Sequence, residues 1–258
     1  MKRNGIGRLL ALVLCIVSTQ TWSQELKFTT QDFPPFSYRI NGAVSGPAVD
    51  IIRRVCTEMN AQCSFRLLPW ARAQKEVRNG DANGMFVIGW NERRAEWVHF
   101  SPPIMKTEYG FFVNSDNALK YTDPSNIEGY KVGVYGPSNT SNSVDRLRAR
   151  MAEDGLDAIV IDMRPDDESG FKKLAAGRLD AVFSNRDVGL ALIAKLGLMD
   201  KIRYSGPQRT LNYYVGFSMA HNEQDVLQAF DAAYRKLHKS GEVKEILDKH
   251  SMEVAELD

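Results

Sequence analysis

The chain has 258 residues, 43% hydrophobic and 25% charged, with a formal charge of +1. That length allows one large domain or two small ones, and the composition is globular, which excludes a disordered or fibrous chain. A near-neutral chain with no basic block has no electrostatic reason to bind nucleic acid.

Lys2, Arg3 and Arg8 precede an unbroken apolar run from Leu9 to Val17. Thr21-Trp22-Ser23 then places small residues at the −3 and −1 positions of a cleavage site. This is the three-part secretory leader, assigned to residues 1–23. The run is far shorter than the ~20 residues that span a bilayer. A lipid anchor on Cys15 is disfavoured by the bulk of Leu14 before it. Removing the leader leaves Cys56 and Cys63, and an even pair in an exported chain reads as a disulfide. Closing so short a loop stabilises by roughly 2–3 kcal/mol.

In chain order, Glu25 to Thr30 reads as a strand, followed by a Pro-rich turn at Asp32 to Phe36 and a second turn at Asn41-Gly42. Val49, Ile51, Ile52, Val55, Cys56 and Met59 recur at helical spacing. Cys63 to Leu68 reads as a strand, Trp70 to Arg78 as a helix closed by Asn79-Gly80, and Met85 to Ile88 as a buried strand. This alternation predicts a mainly parallel sheet covered on both faces.

The same grammar restarts with a strand at Lys131 to Tyr135, a capping loop at Ser138 to Ser141 and a helix near Val144 to Met151. Further strands are expected at Ala158 to Ile161, Leu179 to Phe183 and Tyr213 to Phe217, with helices at Phe171 to Ala176 and Val188 to Leu196. Val226, Leu227, Phe230, Ala233, Tyr234 and Leu237 line one face of a last helix, which Gly241 interrupts. The stretch Arg78 to Phe86 echoes Ala175 to Phe183, each a helix end, a glycine and an apolar strand. Two α/β halves joined by a hinge fit this echo better than one sheet.

The hydrolase, zincin, phosphate-loop and dinucleotide motifs are absent, and the four histidines have no metal-ligand spacing. Three clusters suit a small polar ligand instead. Phe33-Pro34-Pro35-Phe36 offers a rigid aromatic wall. Gly89-Trp90-Asn91-Glu92-Arg93-Arg94 places guanidinium groups after a buried strand, where they can hold a carboxylate. The Ser138 to Ser141 loop opens a helix, where free N–H groups favour an anion. The plain alternatives are a packing aromatic, a solvated arginine turn and ordinary N-capping.

The chain resembles the extracellular solute-binding proteins of polar amino-acid ABC transporters, family 3, over almost all of its mature length. The resemblance rests on Asp32 to Phe36, on Gly46 with Asp50, on Glu92-Arg93-Arg94 and Val98 to Pro103, on Lys131 to Val134 and on Ala176 to Val182. It implies an α/β, two-lobed fold of the type II periplasmic-binding-protein kind, with two hinge strands and a ligand cleft. Residues 24–113 and 208–258 would form lobe 1, and residues 114–207 lobe 2. The implied ligand residues are Arg94 for the carboxylate, Phe33 and Trp70 for stacking, Gly89 for a backbone contact, Ser138 and Asn139 for lobe-2 closure, and Asn185. Asn185 replaces the family's usual Asp for the ligand ammonium, and Gly89 its common Ser or Thr. Thr30 stands where an acid is often found, and Gly46-Pro47-Ala48 replaces Gly-Phe-Asp. A neutral Asn gives up the charge-assisted part of that contact, so the ammonium half of the site is weakened.

The expectation is therefore a monomeric periplasmic receptor for an amino acid or related small carboxylate, docking on a membrane permease. It needs no metal, cofactor or catalytic residue. The alternatives are an exported dehydratase-type enzyme on the same fold, with Glu92 or Asp32 as its acid, and the ligand-binding partner of a sensor.

Overall fold

The computed structural model describes residues 25–221 and 224–257. The expected leader and Cys15 lie outside the described residues. Strand β1 (Leu26–Thr30) leads through a hairpin, β2 (Tyr38–Ile40) and β3 (Ala43–Ser45), into helix α1 (Pro47–Glu58). The hairpin turns on Asn41 and Gly42, both at positive φ (48° and 84°), as a tight two-residue turn requires. Pro47 opens α1, and Val49, Ile51, Ile52, Val55 and Cys56 form its buried stripe. Cys56 and Cys63 are joined as a disulfide, tying α1 to the start of β4 (Cys63–Leu67). Helix α2 (Trp70–Asn79) ends on a left-handed Gly80 and gives way to β5 (Gly84–Gly89), whose every residue is buried. A short helix α3 (Glu92–Ala95) and strand β6 (Val98–Phe100) precede the long strand β7 (Met105–Asn114).

The second α/β series is β8 (Lys131–Tyr135), α4 (Asn139–Glu153), β9 (Val160–Arg164), α5 (Asp167–Ala175), β10 (Ala181–Asn185) and α6 (Arg186–Lys195). Strand β11 (Ile202–Ser218) returns, and α7 (Gln224–Ser240) and α8 (Glu242–Asp248), divided at Gly241, end the fold.

The sheet runs β4-β1-β5-β11-β7-β10-β8-β9, with β6 also on β11. Pairing is parallel among β4, β1 and β5 and among β10, β8 and β9. It is antiparallel wherever β7 or β11 takes part. The expectation of a mainly parallel sheet thus holds within each half and fails at their junction. The two halves also share one hydrogen-bonded sheet, because β7 and β11 pair with each other from Met105↔Tyr213 to Asn114↔Ile202.

The cores remain separate. Phe28, Ile52, Phe86, Phe217 and Phe230 belong to one; Phe111, Val132, Leu147 and Phe183 to another. Phe112, Phe171, Val182 and Ile193 pack on the opposite face of the second half, and Ala73, Val77, Met85 and Val98 on that of the first. Along β7, Met105 joins the first core while Tyr109 and Phe111 join the second, so the chain changes halves within this strand. Gly189 in α6 lies against the ring of Phe112, where any side chain would collide, and so lets the helix settle on β7.

Candidate functional site

Seven residues singled out from the sequence, Phe33, Trp70, Gly89, Arg94, Ser138, Asn139 and Asn185, line one cavity between the two halves. They arrive from different elements. Phe33 sits in the loop after β1, where its backbone N–H donates to Ser37 O (2.7 Å) and its ring lies against Phe36 and Tyr213 (centroids 5.4 and 6.3 Å apart). Trp70 opens α2, and the Arg94 guanidinium carbon stands 5.3 Å from its ring centre.

Arg94 is aimed by local chemistry. Asn91 caps α3, its side chain accepting from the Arg94 N–H at 2.9 Å. The guanidinium then folds back, and Nη1 donates to Gly89 O at 2.6 Å. A side chain at position 89 would intrude here, since a Cβ would lie 3.2 Å from Asn139 Nδ2 and 3.7 Å from Arg94 Nη1. Nearby, Val87 has φ of +57°, a strained conformation for a β-branched residue, at the register shift where β5 meets β11. No carboxylate pairs with Arg94 among the described residues, and burial lowers the pKa of its guanidinium. A cation held out of water without a counter-ion favours an incoming anion.

From the other half, α4 presents its first turn. Ser138 is the N-cap: its Oγ accepts from the Ser141 N–H (3.1 Å) and donates to Tyr135 O (2.8 Å). Its hydroxyl is therefore occupied as a cap, and what faces the cavity is the start of the helix at Asn139 and Thr140. Asn139 also reaches across the cleft, where its Oδ1 accepts from Asn91 Nδ2 at 3.4 Å.

Asn185 is more completely committed. It is 3% exposed, and its Oδ1 caps α6 by accepting from the N–H groups of Asp187 (2.9 Å) and Val188 (3.1 Å). Its Nδ2 donates to Thr107 Oγ1 (2.9 Å) and Tyr213 Oη (3.3 Å). Thr107 in turn donates to the buried Asp187 Oδ2 at 2.7 Å. The amide oxygen expected to face a ligand ammonium is held by its own helix.

The acid that does reach the cavity is Asp167, the first residue of α5. Asp166 before it is the cap, leaving the second carboxyl free of that duty. Ser184 donates to Asp167 Oδ1 at 2.9 Å, and no cation pairs with it among the described residues. Burial pushes its carboxyl up to about 6. The sequence pattern does not single it out, because the helix expected here begins only at Phe171. Tyr109 and Tyr213, also missed, bring phenols from the two hinge strands, and burial raises the pKa of both. Nothing local distinguished them from core tyrosines.

Among the described residues no His, Cys, Asp and Glu group could hold a metal, and no helix is long and apolar enough to cross a membrane. The profile of bacterial extracellular solute-binding proteins, family 3, matches residues 27–253, and the chain belongs to that family. It is 24% identical over 249 residues to the arginine-binding periplasmic protein of Mannheimia haemolytica, covering 93% of this chain and 96% of the relative. It is 27% identical over 264 residues to the L-arginine-binding protein of Pseudomonas aeruginosa, covering 95% of each. Among solved structures, an ancestral arginine-binding protein bound to arginine superposes with a TM-score of 0.70 at 21% identity, covering 87% of this chain and 97% of that one. The fold is the two-lobed fold of type II periplasmic binding proteins.

Proposed function

We propose that this protein is a periplasmic receptor that captures an amino acid or related small carboxylate between its lobes and delivers it to the permease of an ABC transporter. The observation that carries the reading is the pair of unmatched charges lining one cavity, the Arg94 guanidinium and the Asp167 carboxyl. Arg94 takes the ligand carboxylate in a charge-assisted contact, supported by the first turn of α4. Asp167 takes the ammonium in place of Asn185. Phe33 and Trp70 wall the ligand body, and Gly89 leaves room for Asn139 to close over it. The sequence boundaries put the lobes at residues 24–113 with 208–258 and at residues 114–207. Since Tyr109, Phe111 and Val113 pack into the second core and Met105 into the first, the β7 boundary is better set between Met105 and Tyr109, with bending within β7 and β11. Leader-directed export, a monomeric state and the absence of catalysis complete the reading, supported by the family and by its periplasmic relatives.

A thermal-shift screen of the mature protein against amino acids and small carboxylates tests it, repeated with Arg94→Ala. A ligand that binds only the folded state raises the midpoint by mass action. An amino-acid shift lost in the variant, with ligand recovered unchanged, supports the receptor; an amino-acid shift indifferent to Arg94→Ala removes this site. The enzymatic reading has one observation in its favour, a cleft carboxyl held near the range of a general acid. Chemical turnover of the recovered ligand would establish it.

A further inference from the structure

Beside the cavity lies a second, larger hollow of about 810 Å³, against about 80 Å³ for the first. The two share Gly89, Tyr109 and Asn139 as walls. Three arginines line the larger one: Arg93 from α3, Arg146 from α4 and Arg209 from β11. They come from both lobes and a hinge strand. All three are exposed, and none forms an ion pair or a side-chain hydrogen bond among the described residues. Some exposed arginines elsewhere take carboxylates, as Arg66 does with Glu76 and Arg164 with Asp162, whereas Arg150 and Arg178 stand singly without one among the described residues. What sets these three apart is that they line one hollow. The only carboxylate on this wall is Glu92. Amide groups of Asn142 and Asn212 and the ring of Trp90, 57% exposed, complete it.

Three guanidinium groups lining one open hollow repel, and an anion bound among them relieves that repulsion while gaining charge-assisted hydrogen bonds. The partition from the first cavity is thin, formed at Gly89 and by the Asn91 to Asn139 contact. The first cavity alone holds little more than a compact charged head.

We propose that the hollow is a second anion compartment of the same cleft, so that the ligand is elongated and carries a second carboxylate or equivalent anionic group at its far end. For the ligand's first carboxylate this rests on the receptor reading above; the compartment itself can be tested without it.

The test is calorimetric titration at low ionic strength into the wild type, Arg94→Ala, and the Arg146→Ala/Arg209→Ala double variant. Both probes carry two carboxylates: succinate, and L-cystine with an amino-acid head at each end. The substituted arginines of the double variant are exposed, so it folds, as a thermal melt verifies. Succinate is expected to bind the wild type and Arg94→Ala alike and to weaken about tenfold in the double variant, the effect of losing charge-assisted contacts. L-cystine is expected to lose about tenfold in the double variant and to be lost in Arg94→Ala. Absence of succinate binding to the wild type, or an unchanged affinity in the double variant, overturns the compartment. Amino-acid binding that depends on Arg94 alone leaves the receptor standing without it. Succinate binding that depends on the arginine pair, with no amino acid bound at all, keeps the compartment and defeats the receptor.

Discussion

The side-chain amide of Asn185 donates to the hydroxyl of Thr107 at 2.9 Å, which frees the single proton of Thr107 for Asp187 at 2.7 Å. The order of donors runs one way, from amide to hydroxyl to carboxylate, across the junction of β10, β7 and α6. An aspartate at position 185 would present an acceptor to Thr107, which has one proton and two claimants. Asn185→Asp is therefore expected to destabilise the protein by about 1–3 kcal/mol, the range for an unsatisfied buried polar group. It is not expected to strengthen binding of an amino acid. Urea denaturation with ligand titration checks both, and a variant of unchanged stability and higher affinity would reverse the account.

Burial holds Asp167 up from its ordinary 3.8 to about 6, so pH acts on it in two directions. In the free protein the protonated form is favoured by folding, and this contribution is lost as pH rises through about 6. A ligand ammonium needs the ionised form, so affinity should climb as pH rises through the same value. Calorimetry on either side of about 6 should show this slope in the wild type and a flat profile, at lower affinity, in Asp167→Asn.

Arg94→Ala separates binding from stability. The guanidinium has one hydrogen bond given by the structure from its Nη1, to Gly89 O, and no carboxylate partner among the described residues. Its removal should leave the unliganded melting temperature nearly unchanged. Affinity for an amino acid, whose carboxylate is seated on Arg94, should fall by about 100-fold or more, since truncating one side of a buried charge pair costs about 2–5 kcal/mol.

A single methyl at position 89 would sit 3.2 Å from Asn139 Nδ2, between the lobes. Gly89→Ala should therefore resist the closed geometry while sparing each lobe's own core. The expected signature is a weaker affinity dominated by faster dissociation, with an unchanged denaturation midpoint for the free protein. Stopped-flow release of ligand measures it.

Much of this was readable in advance where one residue type answers to one force. The buried stripe of α1, the glycine that stops α2 and the cap of α4 are local, and their sequence signals are strong. The two strands that carry the chain between halves were not. The first part of β11 is half-exposed, holds Gly206 and Pro207, and alternates too weakly to declare a strand, so only Tyr213 to Phe217 was expected. Phe33 and Arg94 were visible through their neighbours in sequence. Asp167 was not, because the apolar pattern marks this helix only from Phe171, whereas its polar first turn begins at Asp167 after the cap Asp166. The full commitment of Asn185 depends on Thr107, Asp187 and Tyr213, each distant in sequence or unremarkable by itself.

The pairing of β5 and β6 with the far end of β11 also sets an order of assembly. Phe100 meets Gly216, and Gly84 meets Phe217, so the opening third of the chain lacks its central neighbour until nearly all of the chain has been made. The middle stretch, from β8 through β10, finds its partners within itself and on β7, which is made before it. A nascent or truncated chain ending before Ile202 would keep an intact middle beside an unfinished beginning. The apolar edge of β5 would then stand open to strands of other copies, so loss of the C-terminal part should surface first as aggregation and only then as lost binding.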